Sequence, residues 1–288
     1  MSATQVRISI VTPSYNQAKY LKECLISVKE QSHLPYEHIV VDGASTDDTV
    51  ELLREMSSLP GYDHLRWVSE PDKGQSEALN KGFRSARGDL VGWLNADDKY
   101  RPGCFEHVVS DLSRHERCDV LYGDYTVIDQ HNRCQQIRRE ISFSPFVLAY
   151  HKVLYIPTTA TFFDQKIFQE GNFVDTRYQY AMDYEFFLRL SRRGYRFRHI
   201  PKLLADFRWH PESKTGKAAC RQMEEQDLIL ARYSPRLSGV GGFSKGSALS
   251  VLRYLAAFRR YSEKLLRGYY FTQFQNGRIS PKWDFGAK

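Results

Sequence analysis

The first 125 residues alternate short apolar runs with segments of helical periodicity. The apolar runs, rich in β-branched residues, cover positions 7–12, 36–43, 65–69, 88–94 and 118–125. Between the first four of them, apolar side chains recur three and four positions apart, which is typical of helices with one buried face. Repeated strand–helix units of this length predict an α/β fold with a mostly parallel sheet and right-handed crossovers.

Three of these runs end in clusters of polar residues, at positions 12–16, 42–48 and 95–98. Parallel strands point the same way, so the clusters are expected to meet in one crevice at the carboxyl edge of the sheet. Open α/β sheets bind their ligands at such an edge. The pattern therefore predicts a ligand site there.

The alternation is looser beyond residue 125. We predict a hairpin or turn at 125–133, a strand at 156–163 on the far side of the crevice, and an amphipathic helix at 183–193. Residues 197–200 and 203–208 are predicted to form a final pair of strands. A stretch rich in glycine and serine at 234–247 predicts a linker.

Composition agrees with a folded chain in a reducing compartment. Hydrophobic residues make up 42% of the 288 positions and aromatic residues 14%, which supports a large core and argues against disorder. The five cysteines are scattered, and none form a C-x-x-C pair. We recognise no signal peptide and no apolar run of 18 residues, so we expect a cytoplasmic protein without a transmembrane helix.

The net charge of +7 is concentrated at the carboxyl end. Residues 221–288 contain twelve Lys and Arg against five Asp and Glu, whereas residues 1–220 contain 29 of each. This asymmetry indicates an anionic partner. Residues 248–271 combine basic and apolar side chains over about six helical turns, which predicts a helix that either lies in an anionic membrane surface or packs across the domain. Nothing in the front of the chain favours nucleic acid, so we expect none.

Two adjacent carboxylates, Asp97 and Asp98, follow the strand predicted at 88–94. Hard divalent cations take oxygen ligands from one or two protein carboxylates together with substrate phosphates. The pair therefore predicts a metal site that holds a diphosphate. The alternative is a cap for the next helix, a place where aspartate is favoured.

Four segments in this order resemble family 2 glycosyltransferases with the GT-A fold, which are inverting enzymes that use nucleotide sugars. The segments are Ile8-Ser9-Ile10-Val11-Thr12-Pro13-Ser14-Tyr15-Asn16, Ile39-Val40-Val41-Asp42-Gly43-Ala44-Ser45-Thr46-Asp47, Glu70-Pro71-Asp72-Lys73-Gly74-Gln75-Ser76-Glu77-Ala78-Leu79-Asn80-Lys81-Gly82 and Trp93-Leu94-Asn95-Ala96-Asp97-Asp98. The resemblance covers about residues 7–215. It implies a Rossmann-like central sheet flanked by helices, followed here by a helical C-terminal extension.

The resemblance also divides the chain. Residues 1–233 would form the GT-A domain, with a nucleotide-sugar-binding half at 7–125 and an acceptor-side half at 126–215. The linker at 234–247 and a basic amphipathic extension at 248–288 would follow.

The resemblance implies a set of donor-binding residues on the strand ends and the third helix. An aromatic ring and a hydroxyl at the end of the first strand can contact a nucleobase, and an acid at the end of the second can contact the nucleoside. The set is Thr12, Pro13, Tyr15, Asp42, Lys73, Asn80, Asn95 and Asp97. For Asp42 the alternative is a turn residue, and for Lys73 it is a solvated surface lysine.

Asp97 matches the metal-binding acid of the family's D-x-D motif, and the implied cofactor is Mn²⁺ or Mg²⁺. This sequence has Asn95 in place of the first acid, which removes one negative charge. His210 lies in a segment where many relatives carry a histidine near the metal, so it is a second candidate ligand. The alternative is a surface histidine in a proline-containing turn.

Asp183 matches the family's catalytic aspartate, although Met182 replaces the glutamate that usually precedes it. An inverting transfer needs one base to take the proton of the attacking acceptor hydroxyl. Asp183 is the candidate, with Glu185 as the second choice. The alternative is that Asp183 caps the helix that it begins.

The expected partners follow from the resemblance. They are a nucleoside-diphosphate sugar, by analogy a UDP-sugar, and a saccharide or lipid-linked saccharide acceptor in surface polysaccharide or glycolipid assembly. A lipid-linked acceptor would suit a position at the inner face of the cell membrane. One alternative is a nucleotide-sugar-binding protein that has lost catalysis. A nucleotidyltransferase is disfavoured, because the loop at 12–16 lacks the glycines that commonly cradle phosphates.

Overall fold

The computed structural model describes residues 6–151, 153–210, 219–233 and 242–270. These residues form one mixed, nine-stranded sheet with helices on both faces, and its strands lie in the order β3-β2-β1-β4-β8-β6-β9-β5, with β7 paired to β6. The strands are Ile8–Ser14 (β1), Glu37–Asp42 (β2), Leu65–Ser69 (β3), Leu90–Trp93 (β4), Lys99–Tyr100 (β5), Val120–Ile128 (β6), Cys134–Arg138 (β7), Thr161–Asp164 (β8) and Phe197–Arg208 (β9).

The helices fall where the apolar periodicity predicts them in the first half of the chain. In the first helix, for example, the buried positions 20, 21, 24, 25 and 28 repeat at helical spacing. The helices are Ala18–Lys29 (α1), Thr49–Ser58 (α2), Gln75–Ser85 (α3), Cys104–Arg114 (α4), Pro145–Tyr150 (α5), Lys166–Gln169 (α6), Met182–Arg192 (α7), Ala219–Tyr233 (α8) and Gly242–Leu266 (α9), with a 3₁₀ turn at Thr158–Ala160.

The parallel strands predicted for the first half are confirmed. β1 pairs in parallel with β2 and β4, and β2 with β3. The other half is mixed, because β8 runs antiparallel to both of its neighbours, β4 and β6. The carboxyl ends of β1, β2 and β4 therefore share one edge, as the crevice requires.

The core lies on both faces of this sheet. Phe162 and Phe163, adjacent on β8, point to opposite faces and belong to different clusters. Phe163 packs with Phe186 and Phe187 of α7, whereas Phe162 stacks with Tyr100. On the Phe163 side, α3 lies directly against β1. This close approach needs Gly82, because a Cβ there would overlap the Val11 side chain.

Two predicted strands differ from the structure. The strand expected at 156–163 on the far side of the crevice is only Thr161–Asp164, and it lies inside the sheet. The pair expected at 197–208 is one strand, β9, whose register against β6 shifts after Ile200. A bulge at this shift accommodates Pro201 without ending the strand.

The C-terminal helix packs on the domain. It begins at Gly242, so the second part of the predicted linker is helical, while residues 234–241 lie outside the described part of the chain. Two basic side chains of α9, Arg260 and Lys264, point inward to the buried Glu140, 2.9 and 3.1 Å from its carboxylate. No helix in the described ranges combines the length and hydropathy needed to cross a membrane.

Candidate active site

The turn after β4 is fixed by the side chain of Asn95. Its Oδ1 accepts hydrogen bonds from Trp93 Nε1 and Gln75 Nε2, each over 3.0 Å, and its Nδ2 donates to Asp98 Oδ2 over 3.1 Å. An aspartate at this position could accept the bonds from Trp93 and Gln75 but could not make the N–H donation to Asp98 that the Asn95 amide makes. The amide therefore gives the departure from the D-x-D motif a structural reason.

Asp98 is buried beneath this turn. It accepts hydrogen bonds from the Thr159 hydroxyl, from the Arg208 amide over 2.8 Å, and from Asn95. Burial, together with the charge of Asp97, raises the pKa of Asp98 to about 8, although the three hydrogen bonds oppose the shift. The alternative role as a helix cap is wrong for Asp98, because α4 begins only at Cys104, after Gly103, and has no side-chain cap.

Asp97 is the acid of this turn that reaches the surface, with 20% of its side chain exposed. Its Oδ2 lies 3.1 Å from Nε2 of His210, which is brought back to the turn by β9. Within the described residues, Nδ1 of His210 has no hydrogen-bond partner. The structure thus brings together the two predicted metal ligands.

Arg208 holds this arrangement and was not predicted. Its buried guanidinium donates to the carbonyl of Asp97 over 2.8 Å and to that of Asp129 over 3.2 Å, and it pairs with Glu23 over 2.9 Å. It also lies over the ring of Tyr20. The only signal in the sequence was its place two positions before His210.

Asp97 and His210 are compatible with a divalent cation whose remaining ligands come from outside the protein. Among the described residues, no three His, Cys, Asp or Glu side chains form a metal-binding group. Asp97 and His210 therefore offer two ligands, and a hard cation can complete its shell with substrate phosphates and water. Two protein ligands suit an open site of this kind, and metal binding here stays a prediction.

The ends of β1 and β2 form the predicted nucleoside wall. Asp42 is buried and accepts hydrogen bonds from the Ser45 amide and hydroxyl and from the Ser69 hydroxyl, the first over 2.9 Å and the last over 2.7 Å. Thr12 is also buried, with its hydroxyl 2.9 Å from Nε2 of His38. These contacts show both residues shaping the wall from inside, and their contact with a nucleoside stays a prediction.

Pro13 and Tyr15 lie at the mouth of the same wall. Pro13 is buried, whereas Tyr15 is 59% exposed just beyond the end of β1. An exposed aromatic ring at a strand end can stack on a base. Of the four wall residues, Tyr15 is the one available to a ligand without rearrangement.

The two residues predicted on the third helix differ in exposure. Lys73 is exposed just before α3, where its amide donates to Glu77. Asn80 is buried, and its side-chain amide both donates to and accepts from the backbone of Val174, each over 2.8 Å. The structure thus accounts for Asn80 as a link from α3 to the loop before α7, and its contact with a donor stays a prediction.

Asp183 is partly exposed in the first turn of α7. The start of α7 lies against the start of α3, because the Ser76 hydroxyl is 2.8 Å from Sδ of Met182. The preceding residue, Gln75 at the start of α3, donates a hydrogen bond to the Asn95 side chain. The N-terminus of α3 therefore bridges the Asp97 turn and the Asp183 turn.

The second choice of base, Glu185, points away into the core. It is fully buried and pairs with Arg189 over 2.8 Å, and it accepts a hydrogen bond from the Tyr233 hydroxyl. An internal ion pair accounts for this acid. Asp183, which is partly exposed, is thus the better candidate for a base that contacts the acceptor substrate.

Comparisons with known sequences identify the family of the chain. Residues 9–172 match the model of a family described as glycosyl transferase family 2. Among curated relatives, an uncharacterized glycosyltransferase of Rickettsia typhi is 28% identical over 268 residues, covering 87% of this chain and 79% of the relative. One of Mycobacterium tuberculosis is 32% identical over 186 residues, covering 64% and 68%.

Solved structures share the fold at low sequence identity. Staphylococcus aureus TarS in complex with UDP-GlcNAc aligns with a TM-score of 0.63 and 17% identity, covering 85% of this chain and 71% of that one. The mannosyltransferase PcManGT from Pyrobaculum calidifontis, in complex with GDP-Man and Mn²⁺, aligns with a TM-score of 0.57 and 17% identity, covering 88% and 81%.

Proposed function

The chain belongs to glycosyl transferase family 2 and has the GT-A fold, and from that premise we propose that it transfers a sugar from a nucleoside-diphosphate sugar to an acceptor hydroxyl with inversion. One observation carries the proposal. The crevice has a partly exposed carboxylate on each wall, Asp97 after β4 and Asp183 on α7, and α3 joins the two.

The donor would lie along the ends of β1, β2 and β4. Tyr15 would stack on the base, and the backbone around Thr12 and Asp42 would form the floor of the nucleoside site. A UDP-sugar is the preferred donor, since TarS was solved with UDP-GlcNAc, although PcManGT holds GDP-Man. Lys73, exposed before α3, would approach the phosphates or the sugar.

Asp97 and His210 would hold the divalent cation. When bound, the cation neutralises the charge that develops on the departing diphosphate. The protein contributes the geometry, because Arg208 fixes the carbonyl of Asp97 and Asp98 fixes the turn from below.

Asp183 would act as the base. Its carboxylate lies in the first turn of α7, where the helix dipole favours a negative charge. It would take the proton of the acceptor hydroxyl as that oxygen attacks the anomeric carbon from the face opposite the leaving diphosphate. Such a proton transfer accelerates a reaction by roughly 10²- to 10⁴-fold.

The experiment is a donor screen. UDP- and GDP-sugars are incubated with the protein and Mn²⁺ or Mg²⁺, with and without a lipid extract as acceptor, and release of the nucleoside diphosphate is measured. We expect one donor to give metal-dependent release that increases with acceptor. Donor binding by calorimetry without release from any donor would instead support a nucleotide-sugar-binding protein, for which the loss of the D-x-D acid at Asn95 is the favouring observation.

We further propose that the acceptor is lipid-linked and that α9 attaches the enzyme to an anionic membrane surface. The helix faces inward with Arg260 and Lys264 and outward with apolar side chains, among them Phe258 at 72% and Leu266 at 87% exposure. The other exposed apolar residues of this face are Val251, Tyr254, Leu255 and Leu265. Exposed Arg259 flanks them, and residues 221–288 carry the whole net charge, which favours an anionic lipid as the occupant.

Flotation with vesicles tests the attachment. The variant with Phe258→Glu and Leu266→Glu should lose most binding to anionic vesicles, because it puts negative charge, which anionic lipid repels, in place of the exposed apolar side chains that would insert into the membrane. Leu34→Glu is the matched control, since Leu34 is 70% exposed elsewhere on the domain. Equal flotation of both variants would contradict the membrane proposal. So would a parent protein that does not float but is a dimer by light scattering, with the double variant a monomer, because the apolar face would then bind a second copy.

A further inference from the structure

The turn that leads into α7, and thus to Asp183, is held from outside its own helix. The N-cap position is Ala181, which has no side-chain oxygen to accept the first amides of the helix. Instead, three consecutive amides donate to the one carboxylate of Glu225 on α8, over 2.9, 2.8 and 2.8 Å; they are those of Gln179, Tyr180 and Ala181. Consecutive amides directed at one point form a concave anion site. Here a side chain of the protein occupies it.

Glu225 acts from an anchored element. Ile229 and Leu230 of α8 are buried in the same core cluster as the apolar face of α7. One turn after them, the Tyr233 hydroxyl donates to the buried Glu185 on α7. Near the start of α8, Arg221 lies 3.3 Å from the Tyr180 hydroxyl. The helix α8 therefore lies alongside the segment before α7 and holds it at several points.

The opposite side of the same turn contacts the start of α3. The Ser76 hydroxyl lies 3.5 Å from the carbonyl of Tyr178 and 2.8 Å from Sδ of Met182. A shift of the turn would therefore move Asp183 relative to α3 and to the Asp97 turn. Misplacement of a reacting group by about 1 Å can cost roughly 10²-fold in rate.

We propose that Glu225 is a positioning residue for the transfer reaction, which sets the place of the Asp183 carboxylate by holding the amides before α7. The inference rests on the proposed role of Asp183 as the base. It makes α8, which lies beyond the family-model match at residues 9–172, a part of the active site.

Hydrogen exchange tests the contact without a substrate. Glu225→Gln keeps the size of the side chain but replaces one accepting oxygen by an NH₂ group, so at least one of the three amides loses its acceptor. We expect the amides at 179–181 to exchange at least about tenfold faster. Glu224→Gln is the matched control, since Glu224 is the exposed neighbour on the same helix, and it should leave these amides unchanged.

A double-mutant cycle tests the role in the reaction. The parent, Glu225→Gln, Asp183→Asn and the double variant are compared by release of nucleoside diphosphate from the donor found in the screen. Glu225→Gln should lower kcat about tenfold with KM for the donor unchanged, because the donor contacts lie on the other wall. In the Asp183→Asn background it should cause no further loss, since the base that it positions is already removed.

The outcomes separate the two claims. Unchanged exchange at 179–181, or the same loss of kcat in both backgrounds, would overturn the positioning role of Glu225 and leave the proposed function intact. Parent-like turnover by Asp183→Asn would overturn the proposed base, and the positioning role with it.

Discussion

At the scale of single residues, the crevice has two kinds of side chain. Buried ones such as Asp98 and Arg208 hold its turns in place, and exposed ones such as Tyr15 are accessible to a ligand. Asp97 was predicted from its place directly after a buried strand and Asp183 from the resemblance to a family motif, and the roles of both stay predictions. Arg208 and Thr159 could not be predicted, since their partners Asp97 and Asp98 lie 111 and 61 positions away in the chain. Local sequence carries no record of such pairs.

The assignment of Asp97 leads to a prediction about metal binding. Asp97→Ala should abolish the effect of Mn²⁺ on the affinity for a nucleoside diphosphate, because the cation loses its carboxylate ligand. Calorimetric titration of UDP with and without Mn²⁺ measures this. Asp63→Ala, at an exposed acid before β3 on the opposite edge of the sheet, should behave like the parent, and metal-dependent affinity that survives in Asp97→Ala would remove Asp97 from the site.

At the scale of elements, the apolar pattern predicted where strands and helices occur better than it predicted which elements they pack against. The strand Leu65–Ser69 was predicted to the residue. The run at 156–163 was recognised as apolar, yet its place between β4 and β6 depends on the packing of Phe162 and Phe163, which no local pattern encodes. In α9 the pattern predicted an amphipathic helix but not that its basic residues face inward.

The orientation of α9 depends on the buried Glu140. Burial alone would raise the pKa of Glu140, but the charges of Arg260 and Lys264 bring it below its usual range. Burial also lowers the pKa of Lys264 to about 8. Removing one partner of a buried ion pair costs about 3–5 kcal/mol, because the remaining charge is uncompensated.

Glu140→Gln should therefore lower the free energy of unfolding by about 3 kcal/mol and expose α9 to proteolysis. Urea denaturation and limited trypsin digestion measure the two effects. Asp227→Asn is the control, since its ion pair with Arg253 is exposed and should contribute less than about 1 kcal/mol. A similar small effect of both substitutions would show that Glu140 does not hold the helix.

At the scale of the whole molecule, one sheet carries the site and its stability depends on buried titratable groups. His38, behind the nucleoside wall, is fully buried, and burial together with the charge of His64 lowers its pKa to about 3. The folded state therefore binds fewer protons than the unfolded state between pH 3 and pH 6.5. Stability must rise with pH across that window and be lost as the pH falls through it.

The parent should lose on the order of 2 kcal/mol of unfolding free energy at His38 alone between pH 6.5 and pH 4.5. His38→Gln removes the titrating ring. The slope of its unfolding free energy against pH should therefore be smaller over this range, by the amount that about one proton contributes. Urea denaturation at several pH values gives both slopes. Parallel slopes for the two proteins would show that His38 is protonated in the folded state.

The central claim is that sugar transfer takes place between Asp97 and Asp183. The most direct measurement is nucleoside-diphosphate release by Asp183→Asn, with donor affinity measured in parallel and Asp63→Asn, at an exposed acid outside the crevice, as the control. The account predicts turnover slower by roughly 10²- to 10⁴-fold with donor affinity nearly unchanged, because the amide keeps its shape but cannot take the proton. Turnover within a few-fold of the parent would contradict it.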